Sequence, residues 1–246
     1  MEKREKESKS KKGGLKPKTQ KLKAKLLKSY YGNPLKDMKL IAVTGTTGAT
    51  TVAHYVHEIL RAADEQVAVL ISDQEFKMSV LHKFLSDAWK AGANYVVVTV
   101  PPAGLQNNIF YGLPVHVAAM TNFVTTGLKD MTPEEFLNCE KSLFAMKPEI
   151  AVLNRDDMNY NTFAEFSGKE RTVTYGQSGS DVKILNSKLY PKGTEATLSI
   201  HSDIVSVATF VPGEISVPYM ACATAIAIGL GIPTSCIVDG IANYEP

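Results

Sequence analysis

The chain has 246 residues, 44% hydrophobic and 21% charged, the profile of an ordinary globular protein of one large or two small domains. Its net charge of +2 hides a division: residues 1–28 hold twelve basic and three acidic side chains (+9), and the other 218 hold 15 and 22 (−7). No window reaches about 18 unbroken apolar residues, which argues against a membrane span. The charged N-terminus leads into no apolar segment, unlike a secretory signal. Cys139, Cys222 and Cys236 are odd in number and share no CxxC or Cys/His spacing. That disfavours a disulfide framework or zinc site and makes a reducing, cytoplasmic setting the expectation.

Residues 1–18 are low in complexity, rich in Lys, Glu, Ser and Gly, and are expected to be a disordered basic tail. Residues 19–38 are expected to form an amphipathic helix and linker, with Leu22, Leu26, Leu27, Tyr30 and Tyr31 on one face and Gly32-Asn33-Pro34 as its stop. From residue 39 onward, buried β runs alternate with amphipathic helices. Leu40–Val43, Val67–Ile71, Tyr95–Val100, Val115–Met120 and Ile150–Leu153 read as strands. Thr50–Asp64 reads as a helix, with Val52, Tyr55, Val56, Ile59 and Leu60 at helical spacing. Met78–Ala91 reads as another, and Thr132-Pro133-Glu134-Glu135 opens a third with an N-cap, a Pro and two acids. Val182–Val211 changes to short β runs broken by Pro191-Lys192-Gly193 and His201-Ser202-Asp203, as expected of antiparallel edge strands. Helices near Val217–Leu230 and Thr234–Ala242 close the chain. The fold class expected is α/β, a doubly wound, mostly parallel sheet of P-loop type with a small antiparallel edge.

The segment Leu40-Ile-Ala-Val-Thr-Gly-Thr-Thr-Gly-Ala-Thr-Thr51 runs from strand through a Gly/Thr loop into a helix. Such loops suit phosphate: the glycines let backbone N–H groups converge, and the helix N-terminus adds a positive dipole end. A P-loop also needs a Lys on the β/γ-phosphates followed by a Ser or Thr on Mg²⁺. Thr50 is present, but the Lys position is Ala49. Thr50 and Thr51 suit a plain helix cap equally well.

This loop resembles that of the Mur ligase family, the ATP-dependent acid–amino-acid ligases of peptidoglycan stem-peptide synthesis. The family loop reads Thr-Gly-Thr-Asn-Gly-Lys-Thr-Thr, and Thr44-Gly45-Thr46-Thr47-Gly48-Ala49-Thr50-Thr51 matches six of the eight. Similar segments follow in the family's order: Ala118–Phe123, Met131–Phe136, Lys141–Phe144, Ala151–Asp157, Thr174–Gly176, Val211–Gly213 and Gly229–Pro233. The resemblance spans residues 39–246 as a Mur-ligase-like central domain, most similar to the branch that adds the third stem-peptide residue. It implies a nucleotide site at Gly45, Thr46, Thr47, Gly48, Ala49, Thr50, Thr51, Asn122, Asn154 and Asp157, with Mg²⁺ at Thr50 and ATP as cofactor. Asp156-Asp157 also suits a solvated turn.

The sequence departs from the family where charge is needed. The metal-binding Glu of the family falls at Thr99 and a following His at Ala103. The polar run after Thr-Asn becomes Val124-Thr125-Thr126-Gly127, and Gly-Arg-Phe-Asn becomes Gly213-Glu214-Ile215-Ser216. The basic tail stands where the family's UDP-sugar domain would be, and Tyr244-Glu245-Pro246 falls about where its amino-acid domain would begin. Phosphoryl transfer depends on positioning and charge stabilisation. Loss of one preorganised donor costs about 3–4 kcal/mol, or roughly 10²–10³ in rate. The resemblance and its losses together imply a degenerate ligase relative that binds or scaffolds, with no catalytic residues assigned and a cell-wall ligase as a partner. The alternatives are an active ATP-dependent ligase working with a partner chain, and an adaptor whose basic tail contacts nucleic acid or an anionic membrane. His54, His57, His82, His116 and His201 have no ligand spacing and read as surface or packing residues.

Overall fold

The structure, a computed structural model, describes residues 17–72, 77–126, 131–167 and 172–246, with side chains from Thr19 onward. The expected disordered tail lies outside the described residues, except that Pro17 and Lys18 open the first helix, α1 (Pro17–Tyr31).

The body follows as β1 (Lys39–Thr44), α2 (Ala49–Ala62), β2 (Val67–Leu70), α3 (Met78–Lys90), β3 (Tyr95–Thr99) and α4 (Pro102–Gln106). Next come β4 (Val117–Met120), α5 (Pro133–Phe144), β5 (Ile150–Asn154), α6 (Tyr160–Ser167) and β6 (Thr172–Gly176). The chain closes with β7 (Val182–Tyr190), β8 (Gly193–Ile200), β9 (Asp203–Thr209), α7 (Ser216–Gly229) and α8 (Thr234–Asn243). The strands form one sheet in the order β2-β3-β1-β4-β5-β6-β7-β8-β9. Every pairing from β2 across to β7 is parallel, and β7-β8-β9 is an antiparallel ribbon. The expected fold class is therefore the one observed, with the edge strands where Pro191-Lys192-Gly193 and His201-Ser202-Asp203 turn the chain.

Burial follows from the pairing. β3 and β4 are buried at every residue, because parallel strands in a doubly wound sheet are covered on both faces. One face packs on α2, α7 and α8; the other packs on α3, α5 and α6. On α2 the five apolar residues expected to face inward are all buried. Helix α7 is apolar all round and buries eleven of its residues, as a helix enclosed on every side must. No helix among the described residues is long and apolar enough to cross a membrane.

Helix α1 corrects one expectation. Gln20 and Ala24 are buried, Leu27 and Tyr31 are half-buried, while Leu22, Leu26 and Tyr30 are 59%, 62% and 81% exposed. The five apolar residues do not share one face. Leu22, Leu26 and Tyr30 repeat every four residues and form one row; Leu27 and Tyr31 lie about 100° further round, in the row facing α3.

Candidate functional site

Strand β1 lies inside the parallel sheet, between β3 and β4. The chain leaves it toward one edge and later returns on its other side, so the C-terminal end of β1 is a topological switch point. The loop Gly45–Gly48 sits at that end. Gly45 (φ 137°) approaches Thr121, after β4, so closely that a Cβ would overlap its hydroxyl. Gly48 (φ 81°) caps α2 in the left-handed region, against the ring of Tyr219 from α7. Both positions need glycine for close approach as well as for backbone angle.

The loop's polar groups are largely bonded within the protein. The Thr46 N–H donates to the Asn122 carbonyl at 3.2 Å, and the Thr47 N–H donates to Asn122 Oδ1 at 3.1 Å. Asn122 Nδ2 donates back to the Thr47 carbonyl and to Thr47 Oγ1 at 3.0 and 2.9 Å. Thr46 Oγ1 donates to the Val124 carbonyl and accepts from the Val124 N–H, each at 2.9 Å. Thr47 Oγ1 lies 2.9 Å from the Tyr219 hydroxyl, and the Thr121 hydroxyl donates to the Thr47 carbonyl at 2.6 Å. What stays open is the first turn of α2. The N–H groups of Ala49, Thr50 and Thr51 have no acceptor among the described residues, and the Thr50 side chain is exposed. Ala49 packs on the core instead of presenting a cation.

The other sequence-predicted residues lie nearby, one loop further along the sheet. Asp157 Oδ2 accepts from the Phe123 N–H at 3.0 Å, and Oδ1 accepts from the Asn159 N–H at 2.8 Å. Asn154 Oδ1 accepts from the Asp156 N–H at 2.9 Å. Asp156 in turn accepts from the N–H groups of Gln177 and Ser178 at 2.6 and 3.1 Å. The structure thus brings Gly45–Thr51 and Asn122 into direct contact. Asp157 joins them through Phe123, and Asn154 braces the next loop. Both aspartates are clamps between loops, each carboxylate accepting main-chain N–H bonds.

Three site residues were not singled out in the sequence. Tyr219 covers the loop. Thr44 Oγ1, at the end of β1, lies 2.9 Å from the Val100 carbonyl and 2.8 Å from Glu140 Oε2. Glu140 is completely buried, Oε1 has no partner among the described residues, and burial pushes its pKa up to about 8. A protonated Glu140 donates to Thr44, whose own proton goes to Val100, so one chain of bonds joins α5, β1 and the end of β3. One signal for Glu140 is present in the sequence: it sits among Phe136, Cys139, Leu143 and Phe144 on the inward stripe of α5. Thr99, at the end of β3, is 2% exposed and bonds the Ser72 main chain at 2.6 and 3.1 Å.

These groups fit one phosphate at the α2 N-terminus, where amides and dipole converge. Among the described residues no Asp or Glu bonds to the loop, and Thr99 bonds the Ser72 main chain.

A parallel sheet with a glycine loop at its switch point and an antiparallel ribbon on one edge defines a P-loop-type domain. Residues 43–227 match the Mur ligase middle domain, and the chain belongs to that family. It is 30% identical over 245 aligned residues to the UDP-N-acetylmuramoyl-L-alanyl-D-glutamate–2,6-diaminopimelate ligase of Bacillus licheniformis, covering 90% of this chain and 50% of that one. The enzyme of the same name from Geobacillus thermodenitrificans is 26% identical over 253 residues, covering 94% and 52%. The chain spans about half the length of these curated relatives. Among solved structures, a UDP-N-acetylmuramoyl-L-alanyl-D-glutamate–2,6-diaminopimelate ligase superposes with a TM-score of 0.78 at 21% identity, over 85% of this chain and 46% of that one. MurF from Acinetobacter baumannii gives 0.74 at 18%, over 89% and 49%. These two structures share the fold.

Proposed function

We propose that this chain is a degenerate Mur ligase middle domain, a pseudoenzyme that acts by binding or scaffolding in cell-wall metabolism. The observation that carries this reading is Asn122, which occupies the Thr46 and Thr47 amides that a phosphate would need. The missing charges support it: Ala49 replaces a Lys, and Thr99 replaces a metal carboxylate. A full-length cell-wall ligase is the proposed partner. Isothermal titration with Mg-ATP and Mg-ADP tests the loss of catalysis, alongside phosphate release in the presence of diaminopimelate. No binding tighter than millimolar and no release are expected. Micromolar binding that weakens in Thr50→Ala, together with turnover, sinks the reading.

The same assay showing turnover only when a partner chain is added would establish an active ATP-dependent ligase completed by that chain. The open amides of Ala49, Thr50 and Thr51 are the feature that favours it.

An adaptor role rests on a separate feature. The exposed row Leu22, Leu26 and Tyr30 lies on a helix that also carries Lys21, Lys25 and Lys28, within a stretch of net charge +9. An apolar row between lysines suits an anionic membrane surface. Sedimentation with phosphatidylglycerol vesicles, lost in Leu26→Glu, supports this role. Equal affinity of that variant for RNA and vesicles points to nucleic acid instead.

A further inference from the structure

A groove on the side of the sheet away from α2 is separate from the glycine loop. It lies between α1, the turn after it, α3 and the segment around Tyr111, with a volume of about 230 Å³. Its apolar wall includes Tyr111 and Leu113, and its open side carries Lys21, Lys25 and Lys28, all exposed. No acidic side chain among the described residues lines it. The three lysines sit at i, i+4 and i+7 on α1, so they share one side of the helix and repel one another. Together they set a positive field over a low-dielectric wall.

The groove also lies against His82 of α3, 3% exposed, whose Nε2 has no hydrogen-bond partner among the described residues. A buried polar atom without a partner is costly, and native structures rarely leave one so. Burial lowers the His82 pKa, which favours neutral imidazole. The tautomer with hydrogen on Nε2 can donate to an anion, while the lysines neutralise its charge.

We propose that this groove binds a small organic anion, a carboxylate or phosphate monoester on a short apolar body. The lysines and His82 take the charged end, and Tyr111 and Leu113 take the body.

The test uses the full chain with phenyl phosphate as anionic probe, benzyl alcohol as its neutral counterpart and inorganic phosphate as the charge alone. Calorimetry should show phenyl phosphate binding at least tenfold more tightly than either control. Lys25→Glu, at an exposed position, should weaken it at least tenfold. In proton NMR the His82 ring resonance, assigned by its loss in His82→Leu, should move with phenyl phosphate. Vesicles containing phosphatidic acid distinguish the source: binding competed by phenyl phosphate places the anion on a lipid headgroup, and binding of the soluble probe alone places it on a free metabolite. Either result supports the site. Equal binding of benzyl alcohol, equal binding of inorganic phosphate, or an unmoved His82 resonance overturns it.

Discussion

The ring of Tyr219 lies against Gly48, and its hydroxyl is 2.9 Å from Thr47 Oγ1. One aromatic side chain from α7 thereby covers the turn that in a P-loop faces phosphate, and ties it to a helix far along the chain.

Gly48→Ala should be strongly destabilising. The left-handed backbone at φ 81° costs an L-residue about 1–2 kcal/mol, and the new methyl meets the Tyr219 ring. In urea denaturation, Tyr219→Ala should relieve the steric part. The double-mutant cycle should then give a coupling above about 0.5 kcal/mol. Simple additivity would mean that the two residues are not in contact.

Nucleotide binding should return only when both obstacles are removed. Ala49→Lys supplies the charge but leaves the Thr47 N–H on Asn122 Oδ1. Asn122→Ala frees that N–H but adds no cation. The double variant should bind Mg-ATP at least tenfold more tightly than either single variant, about 1.4 kcal/mol, by calorimetry. A double variant no better than Ala49→Lys alone would show that Asn122 does not close the loop.

Glu140 makes stability depend on pH in a direction opposite to that of a salt-bridged carboxylate. Its folded pKa, about 8, lies above its ordinary value of 4.5. The folded state holds the proton more tightly, so stability is greatest below pH 4.5 for this group and falls until about pH 8. The slope is on the order of 1.4 kcal/mol per pH unit inside that window. Glu140→Gln keeps the shape and the donor to Thr44 without the charge. Urea midpoints between pH 5 and 8 should fall in the wild type and fall less in the variant; parallel curves would remove Glu140 as the cause.

Asp157 accepts two main-chain N–H bonds, and its removal should cost stability. Asp157→Ala strips the Phe123 and Asn159 N–H groups of their acceptor. A loss of about 1.5–3 kcal/mol is expected, with faster hydrogen exchange at Phe123. Unchanged stability with weaker nucleotide binding would return Asp157 to the ligand site.

Much of the fold was legible in the chain, for local reasons. The alternation of buried runs and amphipathic helices determined the parallel sheet, and the Pro191 and His201 turns determined its antiparallel edge. The Thr132 cap is present with both capping-box bonds to Glu135. Helix α6 and the short α4 were not legible. The first has only Phe163 fully buried, and the second is a single turn after Pro101-Pro102, so neither carries a sustained period.

The opening split of charge, +9 against −7, keeps its meaning, but its placement is sharper. The sequence by itself determined the Gly/Thr loop between strand and helix and the residue types in it, Ala49 among them, because residue identity at a motif position needs no coordinates. Only the tertiary structure decided where the loop's amides point, which side of α1 is bare, and that Glu140 and His82 are buried. Asn122, Tyr219 and Glu140 lie 75, 172 and 96 residues from their loop and strand partners. Contacts across such separations are set by which strands become neighbours in the sheet, and no local pattern in the chain encodes them.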